Sequence, residues 1–222
     1  MSIATADLLE TSAAPAEAVP LALGQSGPET PTGIWARLKA GTRAVHGQLD
    51  GRIMQGRPFE SQERYGRFLQ VQHDFHVLVS PLFQRPDLAP LLPDLRDRDR
   101  LALIEADLLD LGISVPERQP HTAEQPVDVP TALGWLYVAE GSNLGAAFLL
   151  KAAREIGLSE TFGARHLAAA PEGRGLHWKT FTAALDAIAL SAEDEARVIA
   201  GANEAFSRVL AAVEARFFGT TG

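Results

Sequence analysis

The 222-residue chain contains no cysteine, which excludes disulfides, zinc–thiolate sites, iron–sulfur clusters and thiol nucleophiles. A reducing compartment suits that absence, and a cytoplasmic location is the expectation. Positive charge is missing from the first thirty residues. They hold Asp7, Glu10, Glu17 and Glu29 but no lysine or arginine, so they carry half of the net charge of −8. The remainder, with 24 acids against 20 bases, is near −4. That balance disfavours nucleic acid as a partner. No apolar run is long enough to span a bilayer, which argues against a membrane partner. The N-terminus lacks the basic and apolar regions of a signal peptide. Valine and isoleucine are few beside alanine and leucine, and no stretch sustains a period-two alternation. An all-α, single-domain fold is the expectation, with no internal duplication.

Residues 1–29 are rich in Ala, Pro, Ser, Thr and Gly without periodicity, and read as a flexible N-terminal tail preceding a helical domain over 30–222. The first helix is expected from Pro31 to Asp50, capped by Thr30 and stopped by Gly51. The second is expected from Ser61 to Val79, limited by Pro81, and the third from Arg98 to Leu111, ended by Gly112. Three prolines make 113–129 a loop. A long apolar helix, interrupted by Gly141 and Gly145, is expected from Thr131 to Ile156, followed by a short segment over Glu160–Ala169. Helices over Gly173–Leu190 and from Ser191 to Phe217 complete the chain. Ser191 and Asp194 form a capping-box pattern for the last one.

Chemistry-bearing residues are sparse. His46 lies on the first helix, seven residues or about 10 Å along the axis from Lys39. A neutral imidazole is a good axial ligand for haem iron, although a lone helical histidine is more often an ordinary residue. The segment Tyr137-Val-Ala-Glu-Gly-Ser-Asn-Leu-Gly145 is more informative. Two glycines four apart inside a helix each cost about 1 kcal/mol relative to alanine. They strip one face of side chains, which admits either a flat ligand or a closely packed helix. Gln72 and His76 are an i, i+4 pair, whose bland reading is a buried polar pair. The chain has no Glu-x-x-His, so a di-iron carboxylate bundle is not expected. No Ser–His–Asp ordering or phosphate-cradling glycine loop stands out. Taken singly, Trp178, Phe181 and Phe206 read as core, and His166 as a surface histidine.

Together, Thr-Arg-Ala-Val-His46, Leu-Tyr-Val-Ala-Glu-Gly-Ser-Asn-Leu-Gly-Ala over 136–146 and His-Trp-Lys-Thr-Phe over 177–181 resemble the bacterial biliverdin-producing haem oxygenases across about residues 31–217. The resemblance implies haem, as cofactor and substrate, held between a proximal helix and a kinked distal helix. It makes His46 the iron ligand, with Gly141 and Gly145, and Ser142 and Asn143 between them, on the distal side. Gln72, His76, Arg100 and His166 would order distal waters. Trp178 and Phe206 would be distal aromatics, and Lys39 and Tyr137 would hold a propionate, as in members that cleave the α-meso carbon. Molecular oxygen and an external electron donor, such as a ferredoxin or a flavin reductase, complete the reaction to biliverdin, carbon monoxide and ferrous iron, and a biliverdin acceptor could follow. Two alternatives stay open: a thiaminase-like hydrolase on a similar helical scaffold, against which the lack of cysteine argues, and a haem carrier without turnover.

Overall fold

The computed structural model describes residues 33–116 and 127–219. The expected tail boundary at residue 30, the Thr30 cap and Pro31 lie outside this set, as does most of the 113–129 loop. The described residues form six α-helices: α1 Ile34–Gln55, α2 Gln62–Phe83, α3 Leu101–Asp110, α4 Val129–Glu155, α5 Arg174–Asp186 and α6 Ala192–Val213. Short 3₁₀ turns cover Leu95–Arg98 and Arg165–Leu167, and a π-helical turn over Glu214–Phe218 extends α6. Among the described residues there is no strand. Ser159 makes only isolated bridges to Phe162 and Gly163 in the turn after α4.

Local chemistry explains most of the boundaries. Ser61 and Ser191 accept from the amides of Arg64 and Asp194, 3.2 and 3.0 Å away, and cap α2 and α6. Gly112 and Gly157 take positive φ values of 69° and 83° just beyond α3 and α4, a backbone state that suits glycine. Three of the expected ends shift, two through tertiary packing and one through a local cap. α1 passes through Gly51 to Gln55, because Ile53 still packs on the core and Arg52 pairs with Glu214 at 2.5 Å. α2 passes Pro81 by two residues, and burial of Leu82 and Phe83 offsets the helix bond that proline forfeits. α4 starts at Val129, two residues earlier than expected, because Asp128 accepts from the Thr131 amide at 2.8 Å and Pro130 suits the first turn. The expected segment over Glu160–Ala169 is a turn holding a single 3₁₀ turn. No described helix is long and apolar enough to cross a membrane.

α4 and α6 cross with their backbones almost touching. A Cβ on Gly134 would lie 2.2 Å from the Val198 carbonyl oxygen, and one on Gly201 would lie 2.5 Å from the Thr131 carbonyl oxygen. Around this crossing Leu133, Leu136, Val198, Ala202 and Ala205 are buried with Leu38 of α1 and Val71 and Val79 of α2. A second apolar cluster joins Tyr65, Phe68 and Leu69 of α2 to Ile104 and Leu108 of α3 and Ala146, Leu150 and Ala153 of α4. Because α2 and α4 run through both clusters, the space between them is walled by the middle of each helix.

Candidate active site

That space is a cavity of about 340 Å³, and every residue to which the resemblance gives a site role lines it. α1 contributes Lys39 and His46, α2 Gln72 and His76, the start of α3 Arg100, and α4 Tyr137 with the Gly141–Gly145 segment. His166, Trp178 and Phe206 close the remainder.

The His46 ring stands edge-on to Phe206, with centroids 5.3 Å apart and planes at 84°. Its Nδ1 lies 3.4 Å from Asp50 Oδ2, one turn further along α1, which leaves Nε2 for a ligand. Phe206 therefore belongs to the His46 wall, not to the glycine wall where the resemblance set it. The reason is helical geometry: α6 packs along α1, and its inward face meets the histidine.

Across the cavity, Gly141 has room. A Cβ built there would meet only Trp178, at 3.9 Å, which is ordinary van der Waals contact. The contrast with Gly134, two turns earlier on the same helix, separates the two meanings of a helical glycine. Gly134 serves helix packing, whereas Gly141 presents bare backbone to a ligand space. Ser142 turns its hydroxyl back to the Ala139 carbonyl at 2.7 Å, and the Asn143 carbonyl accepts from Arg174 at 3.0 Å. Trp178 packs on Tyr137 and Phe181, each ring pair with centroids 5.8 Å apart. The expected break in α4 at the glycines does not occur: the helix is continuous through Gly141 and Gly145.

The polar wall consists of Gln72, His76, Arg100 and His166. His166 is buried, not a surface residue. Burial pushes the His76 imidazole down to about 3, with His166, Arg100 and His73 adding to the effect. Burial also lowers His166, against the pull of Asp107, and lowers the Arg100 guanidinium. Arg100 donates to the Ala168 carbonyl at 3.1 Å. His76 Nδ1 and His166 Nε2 are buried without a protein partner. Such atoms are paired in stable proteins, so this wall has the chemistry to hold water or a polar ligand. Lys39 is exposed at the rim, its Nζ 6.0 Å from the Trp35 ring centroid. Burial raises the Tyr137 phenol, with Thr42 as an opposing hydrogen-bond partner.

Two supports behind the lining were not apparent in the sequence. Arg98 and Glu140, both almost wholly buried, pair at 2.6 Å, and His177 links Glu140 to Glu172 through contacts of 3.2 and 2.7 Å. This set ties the residue before Gly141 to α5 and to the 95–98 turn. Asp94, Glu172 and His177 also bring potential metal ligands together, but Arg98 donates to Asp94 at 3.0 Å and already supplies the positive charge there. The second support is Asp107, wholly buried on α3, which accepts from the 165–166 segment.

The histidines set the pH range of the fold. His76 and His166 are held neutral, so the unfolded chain takes up protons first as pH drops below about 6.5, and stability falls. His177 has the opposite sign. Glu140 raises it, so its contribution is present below 6.5 and is lost as pH rises through its elevated value. The unfolding free energy of the ligand-free protein, measured in urea, should therefore peak near pH 6.5. Toward pH 5 it should decline by up to about 1.4 kcal/mol per pH unit for each histidine. His76→Gln should flatten that acid limb, and a flat wild-type limb would contradict the burial argument.

A cavity with one imidazole on one wall, bare helix backbone opposite and a cation at the rim suits a flat apolar ring with a central metal and acidic edge groups. The comparisons agree. A family model described as Heme oxygenase matches residues 107–215. The chain is 43% identical over 172 residues to Heme oxygenase PigA of Pseudomonas aeruginosa, covering 78% of this chain and 87% of that protein. It superposes on the NO- and CO-bound heme oxygenase from Neisseria meningitidis with a TM-score of 0.80 and 39% identity, covering 86% of this chain and 95% of that one. The chain belongs to the haem oxygenase family, whose enzymes are oxidoreductases with haem as substrate and cofactor.

Proposed function

We propose that this protein opens the haem ring at the α-meso carbon, using molecular oxygen and electrons from an external donor such as a ferredoxin or a flavin reductase. The products are biliverdin, carbon monoxide and ferrous iron, with biliverdin passing to an acceptor. The observation that carries the reading is the asymmetry of the cavity: His46 on one wall, and at Gly141 backbone with nothing but Trp178 within 4 Å of an added Cβ. Haem, as substrate, supplies both the redox-active iron and the carbon that is cut.

The chain's residues divide the remaining work. His46 Nε2 is the iron ligand, oriented by Asp50 and the Phe206 edge. Gly141 and Gly145 leave the opposite face free of any side chain that would donate a proton directly above the iron, the arrangement that favours peroxidase chemistry. Gln72, His76, Arg100 and His166 hold water to one side, so protons arrive through solvent without filling the oxygen space. Asn143 and Ser142 keep the glycine segment in register by bonding to backbone and to Arg174.

Lys39 and Tyr137 select the meso position. The iron ligand cannot fix rotation of a flat ring in its own plane, so contacts at the ring edge must. A partly exposed lysine–carboxylate pair contributes at most about 1 kcal/mol, enough to bias two seatings by about fivefold. Tyr137 adds a hydrogen bond of similar size. Chromatography of the biliverdin isomers should show mainly the α isomer from wild type and a mixture from Lys39→Ala, Tyr137→Phe. A wild-type product dominated by the β or δ isomer would refute the assignment, as would an unaltered α product from the double mutant.

A further inference from the structure

Asp107 has no exposed surface and does not line the cavity, yet it is the most heavily bonded carboxylate near the polar wall. It lies on α3 next to the second apolar cluster, where an ionisable group is costly unless its oxygens are satisfied. They are. Oδ1 accepts from the Arg165 amide at 2.8 Å and from Arg165 Nη1 at 3.3 Å, and Oδ2 accepts from the His166 amide at 3.0 Å. Oδ2 also lies 2.8 Å from His166 Nδ1.

The first three contacts would suffice to clip the 163–166 turn to α3, and Asp110 reinforces them by accepting from the Gly163 amide at 2.7 Å. The fourth does something different. It places the ring hydrogen of His166 on Nδ1 and makes Nε2 a lone-pair acceptor. Nε2 is buried and has no partner in the protein, and the ring borders the cavity. Arg100, on the same wall, can only donate. An acceptor and a donor on one wall define the orientation of a water between them.

We propose that Asp107 is a positioning residue for the haem reaction: by fixing the Nδ1–H tautomer of His166, it makes Nε2 the acceptor that orients water on the polar wall. The inference rests on the proposed placement of haem between His46 and the glycine segment. Asp107 touches neither haem nor oxygen and acts through His166 alone.

The first test needs no haem. In the haem-free protein labelled with ¹⁵N-histidine, the His166 ring at pH 7 should carry its hydrogen on Nδ1, with Nε2 resonating as an unprotonated nitrogen. A ring protonated on Nε2, or on both nitrogens, overturns the proposal. The second test is the acid–alkaline absorbance transition of the ferric haem-bound protein, which reports the water beside the iron. Asp107→Asn should shift its midpoint by at least about half a pH unit, a threefold change in ionisation. Asp107→Glu should restore much of the wild-type value. His166→Ala should shift the midpoint too, and adding Asp107→Asn to it should change nothing further. If Asp107 is only a structural clip, Asp107→Asn lowers the urea midpoint while leaving the transition unmoved, or its shift adds to that of His166→Ala; either result refutes the role. Should Asp107→Asn fail to fold, the wild-type tautomer still decides. Failure of the haem reading is separate, since it appears as wild-type protein that binds haem without forming biliverdin.

Discussion

His46→Ala is expected to lose the six-coordinate ferric haem spectrum and to reduce biliverdin formation more than about 100-fold, beyond the effect of losing a residue that merely supports a metal ligand. The wall around His46 explains the size of the effect. Phe206 stands edge-on to its ring, and its Nδ1 faces Asp50. Removing the imidazole leaves Leu49, Ile53 and Phe206, none of which can ligate iron, beside Asp50, which supplies a carboxylate in place of an imidazole nitrogen. His46 is one-third exposed and makes no core contact comparable to Leu38 or Leu49, so the variant should keep nearly wild-type stability in urea. Loss of the spectrum with an unchanged urea midpoint is the expected pair of results. An unchanged spectrum with unchanged turnover would remove His46 as the ligand.

The second large effect separates two glycines of one helix. Gly141→Leu should fold with a stability within about 0.5 kcal/mol of wild type, because its side chain enters open cavity beside Trp178. It should bind haem at least about 100-fold more weakly, or turn it over with ferryl, peroxidase-like chemistry in place of biliverdin formation. Gly134→Ala should do the reverse. Its Cβ would sit 2.2 Å from the Val198 carbonyl oxygen and 2.5 Å from the Ala202 nitrogen, both backbone atoms that move only if α4 and α6 part. The expected loss is about 3 kcal/mol, at the upper end of ordinary overpacking. Titration with haem and unfolding in urea check both variants. Full activity in Gly141→Leu would make that glycine a packing residue after all.

These two glycines also mark where the sequence is readable and where it is not. Spacing on a helix shows which residues share a face, but not what that face meets. Gly141 and Gly145 could be flagged, and packing or ligand could not be decided, because the answer lies in the path of α6, whose Gly201 approaches Gly134 and not Gly141. The lining residues were legible because the distal segment is a contiguous string with His46 and Trp178 in fixed order around it. Phe206 was assigned to the wrong wall for the complementary reason: its partner, His46, is 160 residues away, and only the α1–α6 contact brings the rings together. Asp107 and the Arg98–Glu140 pair left no trace. A charged residue on an amphipathic helix reads as solvated unless the partner that buries it is known, and those partners lie 58 and 42 residues distant. Helix ends erred where burial outweighed a local stop, as at Gly51 and Pro81.

The most direct test of the account is the absorbance spectrum of the haem-loaded protein followed in air after adding an electron donor. The Soret band should bleach over successive turnovers while the broad red absorption of biliverdin grows, and His46→Ala should show neither change at a comparable rate. A Soret band that persists through many equivalents of reductant, with haem recovered intact, would mean that this cavity only carries haem, and would contradict the proposed reaction.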